Sequence, residues 1–374
     1  MSIIEKLARQ ELVDMVPYQS ARRLQSKDQS VDQPNTTATI WLNANEASGP
    51  GIYHIESDCI NRYPDFQPEN LLTAYSQYTG LTTDRILATR GADEGIEVLI
   101  RTFCRAYQDS ILICPPTYGM YAISAQSHGA NIVSVPLDQN LQLDMKALAA
   151  QVGQVKIVFL CSPGNPTGNL LSIESIKASL ALFADSAIVV VDEAYIEFCH
   201  SSSVLSLLNQ YPQLVILRTL SKAFALAGLR CGFTLADPAT IKLLSKIIAP
   251  YPISAPVAEI ASASLSKQGI ELVSIRIQET TMLRQQLALW LEQQSWCTRV
   301  FNSDANFILC QIINQELKEF IFSYLKQQGI LIRDQSKQYR LDNCLRISIG
   351  SERELSIVKD TITNAITAKS TQER

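Results

Sequence analysis

Between about residues 86 and 236, short continuous apolar runs alternate with segments whose apolar residues recur every three or four positions. The runs ILICPP, NIVSVPL, KIVFLCSP, AIVVVDEAY, LVILRTLS and CGFTLAD have the composition of strands, and five of them stop at proline or an acidic residue. The near-continuous apolarity of KIVFL and AIVVV predicts strands covered on both faces. Between the runs, GADEGIEVLIRTF and SIESIKASLALFA repeat at helical spacing. Such alternation predicts an α/β layered domain built on a largely parallel sheet.

After about residue 258 the texture changes. A long helical pattern, TMLRQQLALWLEQQ, leads into the strand-like NFILCQI, ILIRDQ and LRISIG. With the helical LKEFIFSYLKQQG and SERELSIVKDTITNAIT these form a smaller α+β unit. Ser351 and Glu354 have the spacing of a capping box, and Gly329 is placed to end the preceding helix. At the other end, MSIIEKLARQELVDMV reads as an amphipathic arm, and VDQPNTT near residue 34 as a linker. The expected organisation is an arm over 1–34, a large domain over 35–258 and a small α+β domain over 259–374.

Composition removes several classes of function. A chain of 374 residues with 47% hydrophobic and 18% charged residues has the make-up of a globular protein of about two domains. Its net charge of −4 gives no electrostatic footprint for nucleic acid or an anionic membrane. No apolar stretch approaches a membrane span, and the N-terminus has no signal-peptide cleavage pattern. The nine cysteines are scattered, never as C-x-x-C, and most sit among apolar neighbours. That usage suits buried thiols in a reducing cytoplasm. His54, His128 and His200 form no metal-binding pattern, so no metal is expected.

Candidate chemistry concentrates at the ends of the predicted strands, where open α/β sheets bind ligands. RTLSKAFALAGLR, residues 218–230, sets Lys222 between the hydroxyls of Thr219 and Ser221 and the guanidinium of Arg230. A lysine amine forms a Schiff base with an aldehyde, and hydroxyls with an arginine suit a phosphate. One small molecule carrying both groups is pyridoxal phosphate. In VVVDEAY, Asp192 ends an apolar strand, and a carboxylate buried there needs a partner such as a protonated pyridine nitrogen. In CSPGNPTGN the prolines and glycines present Asn165 on a tight loop. In TRGADEGIEVLI, Ala92 and Asp93 open a helix whose free N–H groups favour an anion. Taken singly, these motifs also read as a surface lysine, a helix cap, a turn and an ordinary helix start.

Together, SPGNPTG, VDEAYIEF and TLSKAFALAGLRCGF resemble the fold-type I, pyridoxal-phosphate-dependent aminotransferases. PYQSARR, WLNANEASGP, NRYPDFQP, CPPTYGMY, IAPYPIS, ILIRDQ and CLRISIG narrow the resemblance to the bacterial histidinol-phosphate aminotransferase family, across about residues 17–350. The resemblance implies a large domain with a mainly parallel sheet in an α/β/α sandwich, a smaller α+β domain, and a homodimer. It implies that Lys222 carries pyridoxal phosphate as a Schiff base, that Asp192 pairs with the ring nitrogen, and that Asn165 and Tyr195 bind the ring hydroxyl. Ser221, Arg230 and the backbone of Ala92 and Asp93 would hold the phosphate, Tyr118 would stack on the ring, and Tyr63 would reach in from the other subunit. Tyr18, Tyr63, Asn165, Arg333 and Arg346 would bind the substrates, histidinol phosphate and glutamate or 2-oxoglutarate. The Asn165–Pro166 bond is expected to be cis by the same analogy. Gly164 departs from the asparagine common at that position in relatives. An aromatic-amino-acid aminotransferase and a threonine-phosphate decarboxylase on the same fold are the alternative readings.

Overall fold

A computed structural model describes Val16, residues 40–47 and residues 60–372. Apart from Val16, the expected N-terminal arm and linker, together with Tyr18 and His54, lie outside the described residues.

The strands are β1 (Ile40–Trp41), β2 (Ile86–Thr89), β3 (Ser110–Ile113), β4 (Asn131–Ser134), β5 (Ile157–Cys161), β6 (Ile188–Asp192), β7 (Leu214–Thr219), β8 (Gly232–Ala236), β9 (Cys297–Val300), β10 (Phe307–Ile312), β11 (Ile330–Leu331), β12 (Arg333–Asp334) and β13 (Cys344–Ser348). Seven of them form one sheet in the order β2-β8-β7-β6-β5-β3-β4. Only β8 runs against its neighbours, β7 and β2. Most connections in this sheet pass through helices, which return the chain to the starting edge and give parallel pairs. Between β7 and β8 there is no such helix, only a twelve-residue loop with one short 3₁₀ turn, so the chain doubles back antiparallel.

The continuous apolarity of the central strands has the expected cause. Val158, Leu160, Val189, Val191, Leu214 and Ile216 fill the core on one face of the sheet. Ile157, Phe159, Val190, Val215 and Leu217 fill the core on the other, under the helices Ala92–Phe103 and Met120–His128. A parallel sheet covered on both faces has no polar side to alternate with.

A second, antiparallel sheet has the order β12-β13-β10-β9, and β1 pairs in parallel with β11. The helices Lys267–Glu292, Gln315–Gln327 and Glu352–Gln372 accompany these strands. Ser351 and Glu354 form the expected capping box: the Ser351 hydroxyl accepts from the Glu354 N–H at 3.3 Å, and the Glu354 carboxylate accepts from the Ser351 N–H at 2.7 Å. Gly329 takes a left-handed φ of 73° after the helix Gln315–Gln327. β9 was not among the expected strands; its CTRV sequence lies at a sheet edge with two of four residues exposed, too short and too polar to declare itself.

Because β2, β3, β5, β6 and β7 are all parallel, their carboxyl ends open on one edge of the large sheet. One segment ties that edge to the small sheet. The Leu42 N–H donates to Leu331 O at 2.8 Å, and the Ser348 N–H donates to Leu42 O at 3.0 Å. Residues 43–46 then run on along the cavity described next. Among the described residues no helix is long and apolar enough to cross a membrane.

Candidate active site

A cavity of about 480 Å³ lies at the carboxyl edge of the large sheet, against the small one. Its walls include Lys222, Asp192, Tyr195, Asn165 and Tyr118. Arg230, Ser221, Ala92, Asp93, Arg333 and Arg346 complete the set drawn from the sequence that reaches it.

Asp192 is the last residue of β6 and is only 3% exposed. Its Oδ2 accepts from the Tyr121 hydroxyl at 2.6 Å, and its Oδ1 from the Ala194 N–H at 3.1 Å. Burial pushes its carboxyl up to about 6 despite those two bonds, with the charges of Asp93 and Glu193 adding to the shift. No ion pair to it is formed among the described residues. A buried carboxylate short of a counter-charge, facing a cavity, fits a cationic N–H ligand. Tyr121 stacks on Phe159 at 4.7 Å, which holds its hydroxyl on Asp192.

Lys222 follows β7. Its Nζ donates to the Ala44 carbonyl at 3.0 Å and stands 5.7 Å from the centre of the Tyr195 ring. Desolvation, helped by the Arg346 charge, lowers the amine to about 8. An amine lowered in this way has a far larger neutral, nucleophilic fraction near neutral pH than an ordinary lysine.

The anion cradle is assembled from three segments. Gly91 precedes the helix Ala92–Phe103 with φ 76°, and a Cβ there would stand 2.6 Å from Nη2 of Arg230. Gly232 opens β8 against it, where a Cβ would meet Gly91 C at 2.6 Å. These two glycines let the helix N-terminus, Ser221 and Arg230 converge. Arg230 donates to Ser221 Oγ at 3.2 Å, and the Thr219 hydroxyl donates to the same oxygen at 2.9 Å. Arg230 also approaches Asp93 Oδ2 at 3.4 Å, and Tyr118 donates to Asp93 Oδ1 at 2.9 Å. Backbone N–H groups, a hydroxyl and a guanidinium in one concavity match a phosphate. Cradle, amine and carboxylate together fit pyridoxal phosphate.

Asn165 sits between two cis prolyl bonds, Ser162–Pro163 and Asn165–Pro166. Its Oδ1 accepts from Arg346 Nη1 at 2.6 Å, so its Nδ2 faces the Tyr195 hydroxyl at 3.3 Å. Arg346 comes from β13, is 6% exposed, and also donates to Asn43 O at 3.1 Å. Arg333 on β12 is its direct cross-strand partner. The pairing places two guanidinium side chains on one wall of the cavity.

Tyr63 is placed elsewhere. It is 81% exposed, does not line the cavity, and stacks on Tyr251 with ring centres 4.4 Å apart. Several groups at the site escaped the reading of the sequence: Asn45, the carbonyl of Ala44, Gln335 and Gln338 line the cavity, and Tyr121 stands behind it on Asp192. WLNANEASGP and CPPTYGMY contain three of them, but no spacing rule links those segments to strand ends in another part of the chain. Among the described residues no cluster of histidine, cysteine and carboxylate could hold a metal.

A family profile described as aminotransferase class I and II matches residues 24–362. A histidinol-phosphate aminotransferase of Colwellia psychrerythraea is 59% identical over 369 residues, covering 96% of this chain and 99% of the relative. One from Yersinia enterocolitica is 48% identical over 351 residues, covering 94% and 90%. The crystal structure of histidinol-phosphate aminotransferase from Sinorhizobium meliloti in complex with pyridoxal-5'-phosphate shares the fold, with a TM-score of 0.82 at 22% identity, covering 96% of this chain and 97% of that one. By its own fold, and by matches that run almost its full length, this chain belongs to the class I and II aminotransferases.

Proposed function

We propose that the chain transfers an amino group between L-histidinol phosphate and 2-oxoglutarate, giving imidazole acetol phosphate and L-glutamate, with pyridoxal phosphate as cofactor, in histidine biosynthesis. One observation carries the reading: Lys222, Asp192 and Arg346 converge on one cavity in a chain 59% identical, end to end, to a histidinol-phosphate aminotransferase. When bound, pyridoxal phosphate supplies an aldehyde that takes up amino groups and a pyridinium ring that withdraws electrons from the substrate α-carbon.

The chain's own residues do the rest. Lys222 is the amine that holds the cofactor. With the cofactor bound, Lys222 Nζ would be the base placed to take the proton from the substrate α-carbon and the acid that hands it on to complete the transfer. Asp192, ionised above about pH 6, keeps a proton on the pyridine nitrogen. Asn165 and Tyr195 would donate to the ring oxygen, Tyr118 would lie against the ring, and Ser221, Arg230 and the N–H groups of Ala92 and Asp93 would hold the phosphate. Arg346 takes the carboxylate of glutamate. Histidinol phosphate has no carboxylate, and its phosphate uses the same positive wall, Arg346 with Arg333, together with Tyr18 and the partner's Tyr63.

This reading includes a homodimer, because a Tyr63 that stands outside its own cavity needs a second copy to serve one. It also divides the chain into an arm (1–34), a cofactor domain (35–258) and a smaller domain (259–374). The separate sheets spanning 86–236 and 297–348 support that division.

The test is a coupled assay of purified protein with histidinol phosphate and 2-oxoglutarate, beside phenylalanine and threonine phosphate. Histidinol phosphate should lead in kcat/KM by at least about a hundredfold. Phenylalanine at equal efficiency would sink the substrate assignment, and carbon dioxide release from threonine phosphate would replace transamination with decarboxylation.

A further inference from the structure

Asn45 is buried to 1% exposure and adopts a left-handed φ of 55°, which costs a non-glycine residue on the order of 1 kcal/mol. Such a conformation persists only where the surroundings over-determine it. Here they do. The Asn45 N–H donates to Ser348 Oγ at 2.9 Å, and the same hydroxyl donates back to Asn45 Oδ1 at 2.9 Å. The Asn45 carbonyl accepts from Asn306 Nδ2 at 3.0 Å. Ser348 ends β13 and Asn306 precedes β10, so all three bonds come from the small sheet. With Oδ1 engaged by Ser348, the side-chain amide is left to donate, and it donates to the Tyr195 hydroxyl at 3.0 Å.

The consequence falls on Tyr195. A phenol has two acceptor lone pairs and one proton to donate. One lone pair takes the Asn45 amide, and the other takes the Asn165 amide at 3.3 Å. Asn165 Oδ1 is held by a guanidinium, which can only donate, and turning the Asn45 amide would take from the Ser348 proton the oxygen it is bonded to. The Tyr195 proton is therefore directed away from both, into the cavity.

We propose that Asn45 is a positioning residue for Tyr195: clamped by Ser348 and Asn306, its amide makes the Tyr195 hydroxyl an obligate donor into the cavity, and makes that donation depend on the small sheet being docked. The inference rests on the cofactor reading above, since the acceptor it serves is the ring oxygen of pyridoxal phosphate. A hydrogen bond donated to that oxygen favours its deprotonated form, so loosening the donor raises the pH at which the bound cofactor changes its visible absorbance.

The variant to make is Asn45→Gly, because glycine adopts the left-handed backbone without strain and keeps the N–H bonded to Ser348. Its holoenzyme, titrated spectroscopically from pH 5 to 10, should show the absorbance midpoint moved up by about half a unit to one unit. Ser348→Ala, which frees the amide without touching Tyr195, should move it in the same direction by less. In a Tyr195→Phe background Asn45→Gly should add nothing, as residues acting through one group are non-additive. An unmoved midpoint in both single variants, or an equal shift in the Tyr195→Phe background, overturns the proposal. Should Asn45→Gly fail to fold, Ser348→Ala and its Tyr195→Phe double variant decide the matter alone. A parent protein that gains no visible band with pyridoxal phosphate would instead overturn the cofactor reading, a separate and recognisable failure.

Discussion

Arg218 and Glu193 form an ion pair whose two side chains are each about 1% exposed, with Arg218 Nε and Nη2 donating to Glu193 Oε2 at 2.9 and 2.8 Å. Glu193 also accepts from Ser203 Oγ at 3.0 Å and from the Val204 N–H at 2.7 Å. The pair joins the ends of β6 and β7 one residue beyond Asp192 and four before Lys222. It thereby helps to set the spacing of Asp192 and Lys222 along the cavity wall.

Breaking this pair from one side should be costly. Arg218→Met leaves a buried carboxylate unpaired and should remove about 3–5 kcal/mol of stability. Glu193→Gln/Arg218→Met together should cost clearly less than the two single changes summed. Thermal unfolding of the cofactor-free proteins measures both, and simple additivity would contradict the coupling.

Lys222→Ala should show no visible absorbance band with pyridoxal phosphate and should lose about 10³-fold or more in turnover. Its melting temperature in the absence of cofactor should stay close to that of the parent, because the lysine is replaced where it faces a cavity. Near-normal turnover in this variant would remove Lys222 from the mechanism.

The Asp192 carboxyl is held up to about 6 in the fold against 3.8 ordinarily. A group raised in this way contributes stability that is fully present below about pH 3.8 and is lost as the pH rises through about 6. Without cofactor, Asp192→Asn should therefore be more stable than the parent at pH 7.5, and the advantage should fade between pH 6 and 4. With pyridoxal phosphate bound the order should reverse at pH 7.5, because the carboxylate then has its cation. Unfolding midpoints with and without cofactor across pH 4–8 measure both signs.

Arg346→Ala should reduce kcat/KM for glutamate and for histidinol phosphate by roughly 10²–10³-fold each, as expected when a buried, hydrogen-bonded cation is removed from an anion. Arg333→Ala, from the half-buried partner strand, should weaken histidinol phosphate more than glutamate. Steady-state kinetics with each substrate varied separates these cases, and equal losses for both substrates in Arg333→Ala would deny it a role in discrimination.

If Tyr63 serves the partner's cavity, two inactive proteins should repair each other. Mixing Lys222→Ala with Tyr63→Ala subunits under exchange at equal amounts should recover about a quarter of the parent's sites, those in hybrid dimers with one intact site. Sedimentation of the mixture establishes the dimer, and no recovery after verified exchange would place Tyr63 outside the neighbouring site.

Much of the fold was legible because its causes are local. The runs VVVD and KIVFLC are apolar at every position that ends up between two helical layers. β9 was not legible, since a four-residue edge strand with exposed Thr298 and Arg299 has no period to detect. In the site, Lys222, Asp192, Asn165 and the helix start at Ala92 could be found because each lies at or just after a strand end and carries a recognisable chemical group. Asn45 and Tyr121 could not be found, because what matters about them is whom they touch.

The order of apolar runs, the helix start at Ala92 and the short motifs around Lys222, Asp192 and Asn165 together determine an α/β chain with an amine, a carboxylate and an anion-binding helix start at its strand ends. Those properties follow from periodicity and from residue type, both written in consecutive positions. Only the tertiary structure decided that Arg333 stands directly across from Arg346, that Arg346 grips Asn165 from 181 residues away, and that Asn45 is held by Ser348 from 303 residues away. Cross-strand register and a left-handed backbone at one asparagine depend on how distant segments pack, and no window of neighbouring residues contains that information.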